Sequence, residues 1–282
     1  MSDLAARQTY GALIKRIWTS TVMLITAFIA ATTLLEALIA TFAKFLRYGV
    51  KIRYNLVSVF PNDWHYWSKA RVTVVYLTSP LICIALGLII FNFLKLNKDW
   101  GGKFRPFAFW FMICLVNMPL AHLFFSFRGI REEYGLGFYQ TFAIVATWFG
   151  LNSEIMGAFG AVSIVLSMGF GLLVRNELLK FNYSTKSTHK PSGKSLTVLQ
   201  LFIMPVLISA LPLIGLCTSY NVFPSCLLTL NLLIISVGMF ARNFNDEYTI
   251  KRFRGDILNR FPIFETALCV VIWFAVFKFF KQ

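Results

Sequence analysis

Long apolar runs with almost no charges inside them constrain this chain more than any other feature. Eight can be drawn, at about 18–43, 72–94, 106–127, 138–152, 157–174, 197–218, 225–241 and 262–277. Crossing a hydrocarbon layer of ~30 Å takes about 20 apolar residues in a helix, and several of these runs reach that length. Only 14% of the 282 residues are charged and 57% are hydrophobic, too few polar groups to cover a soluble domain. The runs are continuously apolar, whereas a membrane barrel would alternate apolar and polar side chains. The expected fold is therefore all-α: a polytopic transmembrane helical bundle of about seven to eight spans. The run at 138–152 is short, and only Asn152, Ser153 and Glu154 separate it from the next. It reads either as a span or as part of a re-entrant hairpin.

The chain reads as a single integral membrane domain over 1–282. The first five spans occupy 1–181, a polar basic loop 182–195, and the last three spans 196–282. The first run follows Arg7, Lys15 and Arg16 but is too long for a signal core, so a retained helix is expected. Cys83, Cys114, Cys217, Cys226 and Cys269 lie scattered in apolar runs with no CxxC pair, which argues against a disulfide framework or a metal ribbon.

The net charge of +15 is read as loop charge at a membrane surface rather than as a nucleic-acid footprint, and no nucleic-acid partner is expected. With eight spans, the loops at 44–71, 128–136, 175–196 and 242–260 share one side and carry 6, 2, 5 and 5 Lys/Arg. The opposite side carries 9 against their 18, which predicts both termini on the non-cytoplasmic side. The expected location is a bacterial inner (cytoplasmic) membrane.

The loop at 44–71 mixes basic and aromatic residues, and Val50 to Leu56 alternates apolar and polar side chains. A short interfacial β-hairpin is expected near 50–70. Lys51, Arg53, Trp64 and Trp67 here, with Lys251, Arg252 and Arg254 in the last long loop, are the candidate contacts to anionic lipid headgroups. His189 lies in the polar loop and reads as solvated. Small residues at Gly157, Ala161, Ser163, Ser167 and Gly171 predict close helix packing.

Ionisable groups inside a bilayer cost several kcal/mol and are scarce here. The intramembrane polar candidates are Glu36, Asn117, His122 and Ser79. Glu36, in an apolar stretch, is expected to hydrogen-bond Ser79 or Asn117 on the second or third span. No Walker or Rossmann glycine pattern occurs, and three histidines do not support bis-histidine haem.

The order of these residues resembles the site-2 intramembrane metalloproteases. Leu35-Glu36-Ala37-Leu38-Ile39-Ala40-Thr41-Phe42-Ala43 is similar to their His-Glu-x-x-His-Ala-x-x-Ala register, and Val50 to Leu56 holds the place of their β-hairpin. Leu77-Thr78-Ser79-Pro80-Leu81 resembles their Ala-Gly-Pro-Leu helix start, and Val116-Asn117-Met118-Pro119-Leu120 their Asn-Leu-x-Pro segment. The resemblance covers about 20–130. It departs where the chemistry lies, because Leu35 and Ile39 stand where both zinc-binding histidines belong and no Leu-Asp-Gly follows Pro119. Zinc catalysis needs about three nitrogen, oxygen or sulfur ligands and an open position. The resemblance therefore implies a scaffold without zinc, with no catalytic residues, metal or cofactor. A scaffold or accessory subunit of a membrane complex, holding a partner helix or chain, is the expected function. A transporter or proton-coupled subunit using Glu36 with Asn117 or His122 is the first alternative, and a membrane enzyme acting on lipid the second.

Overall fold

The computed structural model describes residues 2–53, 56–60, 68–96, 104–124, 141–181, 191–216, 222–241, 258, 260 and 262–279. The first helix, α1 (Ser2–Phe45), has 44 residues and is about 66 Å long at ~1.5 Å per residue. It ends through Arg47 at φ 63, which turns the chain so that the Tyr48 N–H donates to the Ala43 carbonyl. Two short strands follow, β1 (Gly49–Arg53) and β2 (Leu56–Phe60), paired antiparallel with Lys51 opposite Ser58.

Helices α2 (Lys69–Tyr76) and α3 (Thr78–Leu96) form one rod broken at Leu77. Pro80 has no N–H to give the carbonyl four residues back, which accounts for the break. Beside it the Ser79 hydroxyl donates to the Val75 carbonyl at 3.2 Å. Then come α4 (Arg105–Phe124), α5 (Thr141–Phe149), α6 (Ser153–Leu179) and α7 (Pro191–Val198). A π-helical turn at Leu199–Ile203 leads into α8 (Met204–Leu216), followed by α9 (Val222–Phe240) and α10 (Ile263–Phe279). The π turn has a local cause. Pro205 cannot bond the Leu201 carbonyl, which accepts instead from the Ser20 hydroxyl of α1 at 2.9 Å.

Among the described residues, five helical stretches are long and apolar enough to cross a membrane: Tyr10–Phe45, Lys69–Leu96, Arg105–Phe124, Ser153–Leu179 and Gly193–Leu213. They gather around α4, which packs against α1, α3, α6 and α9 and is buried along nearly its whole length. Trp110 at its first third is 2% exposed; its indole N–H donates to Ser20 at 2.9 Å and its ring stacks on Phe202.

Bonds between helices fix their directions. Ser20 meets Trp110 and Thr32 meets Met118, so α1 runs parallel to α4. Arg105 meets the Leu94 carbonyl and Glu177, so α3 and α6 both run opposite to α4. The π turn lies at Ser20, and the Arg260 carbonyl accepts from Thr19, placing the starts of α7 and α10 at the same Arg105 end. Helix α9 runs parallel to α6, because Asn231 meets Ser167 while Ile235 meets Gly171.

Of the two readings of 138–152, a span or part of a re-entrant hairpin, the described residues bear on the first. Helix α5 has nine residues, about 14 Å of length against ~30 Å of hydrocarbon. The Lys69 ammonium, at the start of α2, lies 5.4 Å over the Phe149 ring, which puts the end of α5 at the hairpin end of the bundle. Helix α4 finishes and α6 begins at that same end, and the described residues of α5 are too few to cross. Gly150, at φ +66, turns the chain after α5, and the Asn152 side chain then caps α6 by accepting from the Ile155 N–H at 2.9 Å. The polar break seen at Asn152 is thus a helix cap.

Candidate functional site

The sequence candidates do not gather at one place. Asn117 is fully buried on α4 and faces α9. Its side-chain N–H donates to the Leu228 carbonyl at 3.2 Å, and its side-chain oxygen accepts from the Asn231 amide at 2.9 Å. The Asn231 oxygen in turn accepts from the Ser167 hydroxyl at 3.0 Å. One turn away, the Ser163 hydroxyl donates to the Leu120 carbonyl, next to Pro119. The result is a closed polar chain joining α4, α6 and α9 at mid-depth, with every member buried. A polar side chain in apolar surroundings needs such partners, and this arrangement supplies them within the protein.

The small-residue face of α6 meets α9 beside this chain. A Cβ added to Gly171 would lie 2.0 Å from the Ile235 carbonyl oxygen, and one added to Gly238 would lie 2.0 Å from that of Met168. The two backbones therefore touch, which only glycine permits. Ser163, Ser167 and Gly171 are the contact positions, whereas Gly157 and Gly169 face open space.

Glu36 lies elsewhere. It is 9% exposed on α1 and within electrostatic reach of Tyr76 at the end of α2. The bond expected from Ser79 or Asn117 is corrected: the Ser79 hydroxyl is given to Val75 and the Asn117 N–H to Leu228. Thr32 and Met118 are 3.9 Å apart on the parallel helices α1 and α4, so Glu36 and His122, one turn further on each, share a depth. His122 is buried at 7% exposure. Leu35 and Ile39, each 2% exposed, fill the hydrophobic core with hydrocarbon where the protease register would place histidines. Among the described residues no three His, Cys, Asp or Glu side chains are grouped to hold a metal ion.

Of the headgroup candidates, Lys51 and Arg53 lie on β1, while Trp64, Trp67, Lys251, Arg252 and Arg254 lie outside the described residues, as does His189. Two polar clusters were not anticipated from sequence. Asn231 is one; its signal is an amide in the otherwise apolar Leu230 to Ile235. The other sits at the Arg105 end. There Arg105, 1% exposed, donates to the Leu94 carbonyl at 2.5 Å and to Glu177 at 3.4 Å, and Glu177 also pairs with Lys180.

These features define a helical, multi-pass membrane protein whose buried polar groups bind helix to helix. No protein family, characterised protein or solved structure matches the chain.

Proposed function

We propose that this chain is a non-catalytic scaffold or accessory subunit of a membrane complex, on a helical frame resembling a site-2 protease that has lost zinc. The observation that carries this reading is the closed Asn117–Asn231–Ser167 chain. The resemblance would place Asn117 beside a reacting centre, yet its amide is committed to holding α4 against α9. A transporter path joining Glu36 to Asn117 is disfavoured for the same reason. Hydrocarbon from Leu35 and Ile39 occupies the place where zinc ligands would stand.

The finer membrane topology belongs to the same reading. Seven crossings, by α1, α2–α3, α4, α6, α7–α8, α9 and α10, replace eight once α5 is a half-depth element. The termini then lie on opposite sides. The Arg105 end takes the N-terminal segment, 95–105, 175–196 and 242–260, carrying 3, 4, 5 and 5 Lys/Arg. The hairpin end takes 44–71, 128–136 and the C-terminus, with 6, 2 and 2. Seventeen against ten makes the Arg105 end cytoplasmic, with the N-terminus inside and the C-terminus outside.

Purification of the tagged full chain in mild detergent tests the functional reading. It should run as a complex of fixed stoichiometry with a second polypeptide that survives repeated size-exclusion steps. A lone chain that carries solute or protons across reconstituted vesicles would contradict it.

A further inference from the structure

The two ends of the bundle differ in what they offer a membrane surface. At the Arg105 end, several helix termini are tied together: Thr19 to Arg260, Ser20 to Leu201, and Arg105 to Leu94 and Glu177. Basic side chains lie around this knot. Lys15 and Arg16, both half-buried, stand one turn before Thr19 and Ser20 on α1, and Lys95 is exposed beside Leu94 at the end of α3. Aromatic rings share the level: Trp18 is 48% exposed on α1, and Phe104, 65% exposed, precedes α4. Exposed tryptophan beside lysine and arginine is the composition of the headgroup region. Two acids here, Glu177 and Glu265, are engaged by Lys180 and Arg105 and by Arg260. The N-terminal segment, 95–105, 175–196 and 242–260 carry 17 Lys/Arg against six Asp/Glu, so this end is positive in sum.

Resting on the seven-crossing reading, we infer that this end is a docking surface for anionic phospholipid headgroups of the cytoplasmic leaflet, with Lys15, Arg16 and Lys95 as its contacts and Trp18 and Phe104 setting its depth. It differs from the hairpin loop, where sequence alone directs attention to Lys51 and Arg53. Lysine and arginine held at the headgroup level attract anionic lipid over zwitterionic lipid, and salt screens that attraction.

The test uses the full chain in nanodiscs of phosphatidylcholine with a minor fraction of phosphatidylglycerol, followed by mass spectrometry of the lipids retained after mild detergent exchange. Phosphatidylglycerol should be enriched on the order of five-fold over its share of the mixture. The combined Lys15→Gln, Arg16→Gln and Lys95→Gln variant should lose most of that enrichment. A control at the hairpin end, Lys44→Gln with Arg47→Gln and Arg71→Gln, should keep it. If the triple variant aggregates, Lys95→Gln alone should lower the enrichment, and high salt should abolish it in the wild type. Absence of enrichment, salt-independent enrichment, or equal loss in the control overturns the inference. Displacement of the lipid by equimolar inorganic phosphate also overturns it, since that marks a phosphate site rather than a membrane surface. Partner stoichiometry in mild detergent is read separately, so failure here leaves the scaffold reading intact.

Discussion

Glu177→Ala should destabilise the protein by about 3–5 kcal/mol, the cost of leaving a buried charge without its counterion. The Arg105 guanidinium is 1% exposed, and Glu177 is the carboxylate it meets. Replacing both partners, as Arg105→Met with Glu177→Leu, should cost far less than Glu177→Ala, because well-packed apolar residues substitute for a buried ion pair at little loss. Thermal or denaturant unfolding of the purified full chain in one detergent compares the variants. A Glu177→Ala protein within about 1 kcal/mol of wild type would show that Arg105 keeps enough solvent or alternative partners to stay charged unaided.

The second large effect concerns the backbone contact between α6 and α9. Gly171→Ala and Gly238→Ala each drive a methyl group against a carbonyl oxygen at 2.0 Å, and backbone, unlike a side-chain tip, cannot rotate away. Overpacking of this kind costs typically ~1–3 kcal/mol and occasionally more. Each should also weaken the Asn117–Asn231 bond, because the helices must separate to admit the methyl. Gly157→Ala and Gly169→Ala sit on the same helix with nothing within 4 Å of the added carbon. They should be neutral or stabilising by up to ~1 kcal/mol, the helix preference of alanine over glycine. The same unfolding assay reads all four, and loss of stability at Gly157 equal to that at Gly171 would contradict the packing.

The contrast among these glycines shows how much of the structure could be read in the sequence. Spacing of four marks residues on one side of a helix, so the face formed by Ser163, Ser167 and Gly171 was legible. Its partner was not, because Gly238 and Asn231 lie sixty or more residues away and nothing local to either segment encodes the pairing. Each apolar run holds a helix, but hydropathy alone does not decide whether 138–152 crosses. Hydropathy measures the cost of transferring a segment into lipid, not the route by which the chain enters and leaves. Whether a nine-residue helix crosses depends on where its neighbours end, here Lys69 beneath Phe149 and the cap at Asn152. The sides assigned to the termini turn on that same run, since one crossing more or fewer exchanges the sides of every later loop.

The polar candidates were legible as residues and not as a site. Glu36, Ser79, Asn117 and His122 stand out because ionisable and amide groups are scarce in apolar helices. Their partners follow from helix rotation and depth, which the sequence does not state. Asn117 turns toward α9, Ser79 repairs its own helix at the Pro80 break, and Glu36 lies within electrostatic reach of Tyr76.

The proposed topology and the lipid-docking surface rest on a bundle crossed an odd number of times, with the basic end inside. Single cysteines placed at Ser2 and at Gln282, in a background with the five native cysteines replaced, report this directly in intact cells through a membrane-impermeant thiol reagent. Labelling at Gln282 with protection at Ser2 until the cells are permeabilised is the expected result. Labelling at both positions, or protection at both, would mean an even number of crossings and contradict the account.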